Sequence, residues 1–119
     1  MSVTENPDAL VKPLRRALLP IVLLLALKRA NAHGYGLAQS VRAVLGGQVP
    51  EGTLYPLLKK LETEGAVRTH WDTAGSGPAR KVYSLTPQGA ARAETLLQAW
   101  RGLGAAVEAV AEEDDRERR

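Results

Sequence analysis

The chain has 119 residues and a mass of 12.8 kDa, room for one small core and little else. Its 45% hydrophobic and 24% charged residues set it among soluble globular chains, apart from disordered and fibrous ones, and its formal charge is +3. There is no cysteine and there are only two histidines, His33 and His70, which excludes disulfide scaffolds, thiol catalysis and cysteine-bearing metal sites and leaves metal catalysis little to build on.

Phenylalanine is absent and aromatic residues make up 4%, so Leu, Val, Ile and Ala must fill the core, which favours packed helices. The charge is unevenly divided. Residues 1–85 hold eleven Lys/Arg against six Asp/Glu, a net of +5, whereas residues 86–119 hold five against seven, a net of −2. A basic body with an acidic end fits a nucleic-acid reader with a separate association element, although solvated surface charge produces the same split.

The segment from Asp8 to about Ala30 reads as helix. Pro13 and Pro20 are acceptable only near a helix start, so a break near Leu19 is expected. Arg15-Arg16, the apolar run Ala17 to Leu27 and Ala30-Asn31-Ala32 imitate a secretory signal, but Pro20, Lys28-Arg29 and the acidic Glu5 and Asp8 spoil the pattern. The run is shorter than the ~20 residues a bilayer requires, and from Pro20 it is apolar all round, so a buried central helix is expected and no membrane partner. Asn31-Ala32-His33-Gly34 supplies turn chemistry. A second helix, Tyr35 to Leu45, follows with Leu37, Val41 and Leu45 or Val44 on one face, and Gly46-Gly47 ends it.

Thr53 is expected to cap a third helix running to Glu64, with Gly65 as its left-handed stop. Leu54, Leu57, Leu58 and Leu61 make its buried stripe. Gly52, Pro56, Lys59 and Thr63 lie opposite, flanked by Tyr55 and Lys60, and Pro56 would fall in the first turn. Val67, Thr69 and Trp71 then alternate with Arg68 and His70 as in a strand. Asp72 to Pro78 forms a flexible tip, and Arg80 to Leu85 returns as a second strand, with Tyr83 and Leu85 on one face. Such a hairpin is marginal alone and must pack on the helices.

Thr86-Pro87 opens a last helix to about Ala111, about 37 Å long at about 1.5 Å per residue. Ala93, Trp100 and Val107, with Leu96, Leu103 and Val110, repeat every seven residues as an a/d seam, which favours a homodimer over packing within the monomer. The expected organisation is a flexible segment 1–12, a domain 13–85, a dimerisation helix 86–111 and a frayed, charged tail 112–119.

This order of elements, mainly α with a two-stranded β wing, is a winged helix-turn-helix with a C-terminal dimerisation helix. The stretches His33-Gly34-Tyr35-Gly36-Leu37, Gly52-Thr53-Leu54-Tyr55-Pro56-Leu57-Leu58-Lys59-Lys60-Leu61-Glu62 and Gly77-Pro78-Ala79-Arg80-Lys81-Val82-Tyr83-Ser84-Leu85-Thr86 closely resemble the PadR family of bacterial transcriptional regulators. The likeness runs from Leu14 to Trp100 and is most specific at Gly-Thr-Leu-Tyr-Pro heading a helix that ends in Leu-Glu-x-Glu-Gly. It departs from the family's commoner residues at Gly36, Ala66 and Val82. The resemblance implies a cytoplasmic repressor that binds a palindromic operator as a dimer, through its single C-terminal helix, and releases it on a signal.

In that context Lys59 and Lys60 are candidates for phosphates or guanine edges, and Thr53 and Tyr55 for donors to phosphate or base. Tyr35 fits either a phosphate contact or a core aromatic. Arg80 or Lys81, beside Ser76 and Gly77, fits the minor groove or a phosphate. Successive strand residues face opposite ways, so at most one of the pair points squarely at the groove. His33 and His70, separated by a helix pair and lacking carboxylate partners at ligand spacing, read as structural or surface residues. Trp100 beside its symmetry mate would make a slot for a small aromatic effector, or simply fill the interface. No carboxylate pair, Ser/His/Asp set or phosphate-cradling loop lies in a pocket-forming context, so no enzyme, cofactor or metal site is expected. The competing class is a winged-helix protein-interaction module without DNA binding.

Overall fold

A computed structural model describes residues 6–46 and 49–118. Along these residues the chain forms α1 (Pro7–Arg29), β1 (Ala32–His33), α2 (Gly34–Leu45), α3 (Glu51–Thr63), β2 (Val67–Asp72), β3 (Arg80–Leu85) and α4 (Pro87–Glu117).

α1 starts where Asn6 accepts the N–H of Asp8 at 3.0 Å, so the part of the expected flexible segment from Pro7 onward is helical, while residues 1–5 lie outside the described residues. The helix is continuous, without the expected break near Leu19. Pro13 and Pro20 withhold helical donors from the carbonyls of Ala9 and Arg16, but both of those residues are exposed and water can serve them. Burial of Leu19, Leu23, Leu24 and Leu27 against α2, β3 and α4 offsets the cost of about 3 kcal/mol for an interior proline.

α2 ends at Gly46, with Gly47 outside the described residues. Pro50, not Thr53, precedes the first turn of α3: the N–H groups of Thr53 and Leu54 both donate to its carbonyl, at 2.9 and 3.1 Å. Thr53 is therefore inside the helix and Pro56 lies beyond the first turn, where it leaves the Gly52 carbonyl without its helical donor. Leu54, Leu58 and Leu61 are buried as the stripe requires, and Leu57 is half-buried. Gly65 takes φ 81°, which only glycine adopts freely, and the N–H of Ala66 closes the helix end on the carbonyl of Leu61 at 2.9 Å.

The hairpin of β2 and β3 forms as expected, with Thr69 opposite Tyr83 and Trp71 opposite Lys81. β1 adds a third antiparallel strand where the sequence reads as a turn, so the sheet order is β1-β3-β2. Ala32 pairs with Tyr83 and His33 with Val82, covering part of the edge of β3. The core is one cluster drawn from α1, Leu37, Ala38 and Val41 of α2, the α3 stripe, Ala66, Val67, Tyr83 and Ala93.

α4 begins at the expected cap: Thr86 Oγ1 accepts the N–H of Gly89 at 3.0 Å and donates to the Gly65 carbonyl at 2.5 Å. The helix continues to Glu117, so the charged tail expected to fray is helical there, with Arg116–Glu112 and Arg118–Asp114 pairs one turn apart. Among the described residues no helix is long and apolar enough to cross a membrane.

Candidate nucleic-acid interface

The outward face of α3 carries Gly52, Tyr55, Pro56, Lys59, Lys60 and Thr63, all exposed. Thr53 is not among them. It is half-buried and turned toward α1, lining a small hollow with Lys12, Arg15, Arg16, Leu19, Leu45, Val49 and Pro50. Arg42 braces the approach to α3 by donating twice to the Val49 carbonyl, at 2.8 and 3.1 Å.

Glu62 organises the basic side chains. Its carboxylate accepts from Thr69 Oγ1 at 2.5 Å and lies 3.6 Å from Lys59 Nζ and 4.0 Å from Lys81 Nζ. The Thr69 hydrogen bond, followed by the two ammonium groups, holds the Glu62 carboxyl below the ordinary carboxylate range against the opposing effect of burial. The exposed face of α3 and the wing are thus joined through one carboxylate. Sequence reasoning missed Glu62; the available signal was its spacing three residues after Lys59 on one helix face.

Tyr35 is 70% exposed, which removes the core alternative, and its hydroxyl accepts from Gln39 Nε2 at 2.9 Å. Tyr35 stands in the first turn of α2, where unpaired N–H groups face outward. That turn, Tyr55, Tyr83, Arg80 and Lys81 enclose an open notch of about 550 Å³ at the place where β1 stops and β3 continues paired on its β2 side alone. Positive charge, a helix N-terminus and phenol groups therefore meet in one hollow, an arrangement that suits a phosphate. Ser76 is exposed in the tip and, with Arg80, borders a second hollow with His33, Asp72, Gly75, Gly77 and Pro78.

Arg80 and Lys81 divide as strand alternation requires. Lys81 turns to the α3 side, with its Nζ 5.6 Å from the centre of the Tyr83 ring. Arg80 is exposed and pairs across the hairpin with Asp72. Burial raises the Tyr83 hydroxyl above its ordinary value, with the charges of Glu62 and Tyr55 adding to the shift.

The histidines depart from expectation. His33 and His70 both stand opposite Val82, one from each side, so the sheet sets them in a single cross-strand row. His33 also has a carboxylate neighbour: its Nε2, buried and without a hydrogen-bond partner, lies 3.5 Å from Asp72 Oδ2. Asp72 in turn accepts the N–H of Ala74 at 3.0 Å, and this bond, then His33, then the charge of His70, lowers its carboxyl from the usual value. Local spacing could not show this, because it arises from the register of β1. Among the described residues no group of three or more His, Asp or Glu is arranged to hold a metal.

The seven-residue repeat of α4 splits in two. Ala93 is fully buried in the monomer core, so it has no surface left for a seam, and half-buried Leu96 packs against the same core. Trp100 is 44% exposed, and Leu103, Val107 and Val110 are more open still. Leu10, Val11 and Leu14 of α1 add exposed apolar surface that sequence reasoning did not count.

Comparison with known proteins gives a consistent result. The model of the "Transcriptional regulator PadR-like family" matches residues 23–95. An uncharacterized protein of Lysinibacillus sphaericus is 29% identical over 82 residues, covering 67% of this chain and 74% of that one. The crystal structure of a PadR family transcriptional regulator from Eggerthella lenta superposes with a TM-score of 0.78 at 33% identity, over 88% of this chain and 91% of the other. A Streptococcus transcriptional regulator gives 0.70 at 34% identity, over 82% and 94%.

Proposed function

The chain belongs to the PadR-like family of transcriptional regulators, and from that premise we propose that it works in the cytoplasm as a dimeric repressor of a promoter with a twofold operator. Members of the family are DNA-binding regulators rather than enzymes, and so is this chain. The observation that carries the reading is the convergence of Tyr55 from the exposed face of α3, the first turn of α2 and the cations of β3 around one notch. In this reading α3 enters the major groove with Lys59 and Lys60 on phosphates or guanine edges, and Tyr55 donates beside them. Tyr35 and the α2 N-terminus hold a phosphate in the notch, and Arg80, Lys81 and Ser76 follow the backbone toward the minor groove. Thr53, half-buried and lining the hollow beside α1, is left out of this reading.

Trp100, Leu103, Val107 and Val110 form the seam between two copies, widened by Leu10, Val11 and Leu14 of α1. Twofold pairing sets the half-sites about one helical turn apart. Two Trp100 indoles facing one another across the seam would accept a flat aromatic effector whose binding releases the operator.

The test is a gel-shift titration at two salt concentrations, using DNA from upstream of the chain's own gene and an unrelated fragment. Binding that prefers the first fragment and weakens steeply with salt is expected, and Lys59→Ala with Lys60→Ala should abolish most of it. Undiminished activity of that double variant would point instead to a protein-interaction module.

A further inference from the structure

Trp71 is 64% exposed although it lies within a strand. Its cross-strand partner is Lys81, and residues directly opposite in a sheet share a face. Thr69, two residues earlier and so on that same face, donates to Glu62 of α3, and Lys81 Nζ is 4.0 Å from the same carboxylate. The indole therefore stands on the side of the wing turned toward α3, two cross-strand pairs nearer the tip than the Thr69 contact. It adds little to the packing of the fold, because most of its surface meets solvent. A large ring with an N–H at one edge, next to an ammonium group, matches a surface that alternates apolar sugar with phosphate.

We propose that Trp71 is a DNA-contacting residue, its indole packing against a deoxyribose of the backbone that runs between α3 and the wing, its Nε1–H directed to the adjoining phosphate beside Lys81. The proposal rests on the DNA-binding reading above and adds an uncharged contact to it. Such a contact releases no counterion, so it has a signature that Lys and Arg contacts lack.

The experiment uses the full chain and a mixed-sequence duplex, since sugars and phosphates are present in any sequence. Trp71→Ala should weaken binding about tenfold while the slope of log affinity against log salt stays that of the wild type. Trp71→Phe should recover part of the loss. Acrylamide quenching of tryptophan emission should fall when DNA is added to the wild type and stay unchanged in Trp71→Phe, where Trp100 alone emits. Thermal melts of each variant establish that it is folded, and Trp71→Leu replaces any that is not. Affinity of Trp71→Ala within about twofold of wild type overturns the proposal, as does a changed salt slope or DNA protection that is equal in wild type and Trp71→Phe. A wild-type chain that binds no duplex at all would instead overturn the DNA-binding reading, a result separable from a chain that binds while Trp71 stays silent.

Discussion

A methyl group at Gly89 would lie 1.9 Å from the Ala66 carbonyl oxygen and 2.7 Å from Leu85 Cδ1. Backbone cannot move aside as a flexible side chain does, so Gly89→Ala should destabilise the fold by about 3 kcal/mol, read from urea or thermal unfolding. Glu62 gives a pH-dependent counterpart. Its folded carboxyl titrates below the ordinary carboxylate value of 4.5, so its contribution is fully present above that pH and is lost as pH falls through the folded value. Glu62→Gln should accordingly cost stability at neutral pH, by about 1 kcal/mol for a partly exposed charged hydrogen bond, and cost progressively less as pH falls through the folded value. Denaturant midpoints of both proteins at neutral and acid pH check this. An equal gap at both would mean that the effect is packing and not charge.

Among elements, α3 was the most legible in sequence, because a leucine stripe, an outward basic face and a terminal glycine all state one period. Only its start was misjudged: Thr53 is the better capping side chain, yet Pro50 offers the carbonyl that two N–H groups reach. α1 misled more, since local rules read Pro20 as a break, whereas a helix buried by three neighbouring elements outweighs one missing donor. β1 left almost no signal, because a two-residue strand has too few positions to show alternation. The His33–Asp72 contact was hidden with it. For the interface itself, α3 and the wing predict separable charge effects. Lys60→Ala, whose side chain is exposed, should weaken DNA binding alike on all sequences and lower the salt slope by about 1. A titration series in salt measures the slope directly, and an unchanged slope would remove Lys60 from the interface.

On the scale of the whole molecule, the long axis of 63 Å against 33 and 21 Å reflects α4, whose 31 residues extend about 46 Å. Its outer half carries apolar residues left exposed by the other described residues. In the proposed dimer Leu103→Asp should therefore yield folded monomers, seen by sedimentation as a halved mass with undiminished helical circular dichroism, and operator affinity should fall at least a hundredfold through loss of the second half-site. A variant that remains dimeric would place the seam elsewhere. The root of α4, capped by its own Thr86, is tied down three ways: Thr86 Oγ1 to the Gly65 carbonyl, the Thr86 N–H to the Ala66 carbonyl, and Arg92 to Glu64 at 2.8 Å. Helix and wing base consequently turn as one solid lever. In the proposed dimer two such levers would share a fulcrum at the seam, and a small change in the angle at which they cross would be geared up into a larger change in the gap between the two wing tips while each protomer kept its own shape. In that proposed dimer a ligand at the seam would need no path through the core to be felt at the DNA; it would only have to rock the joint.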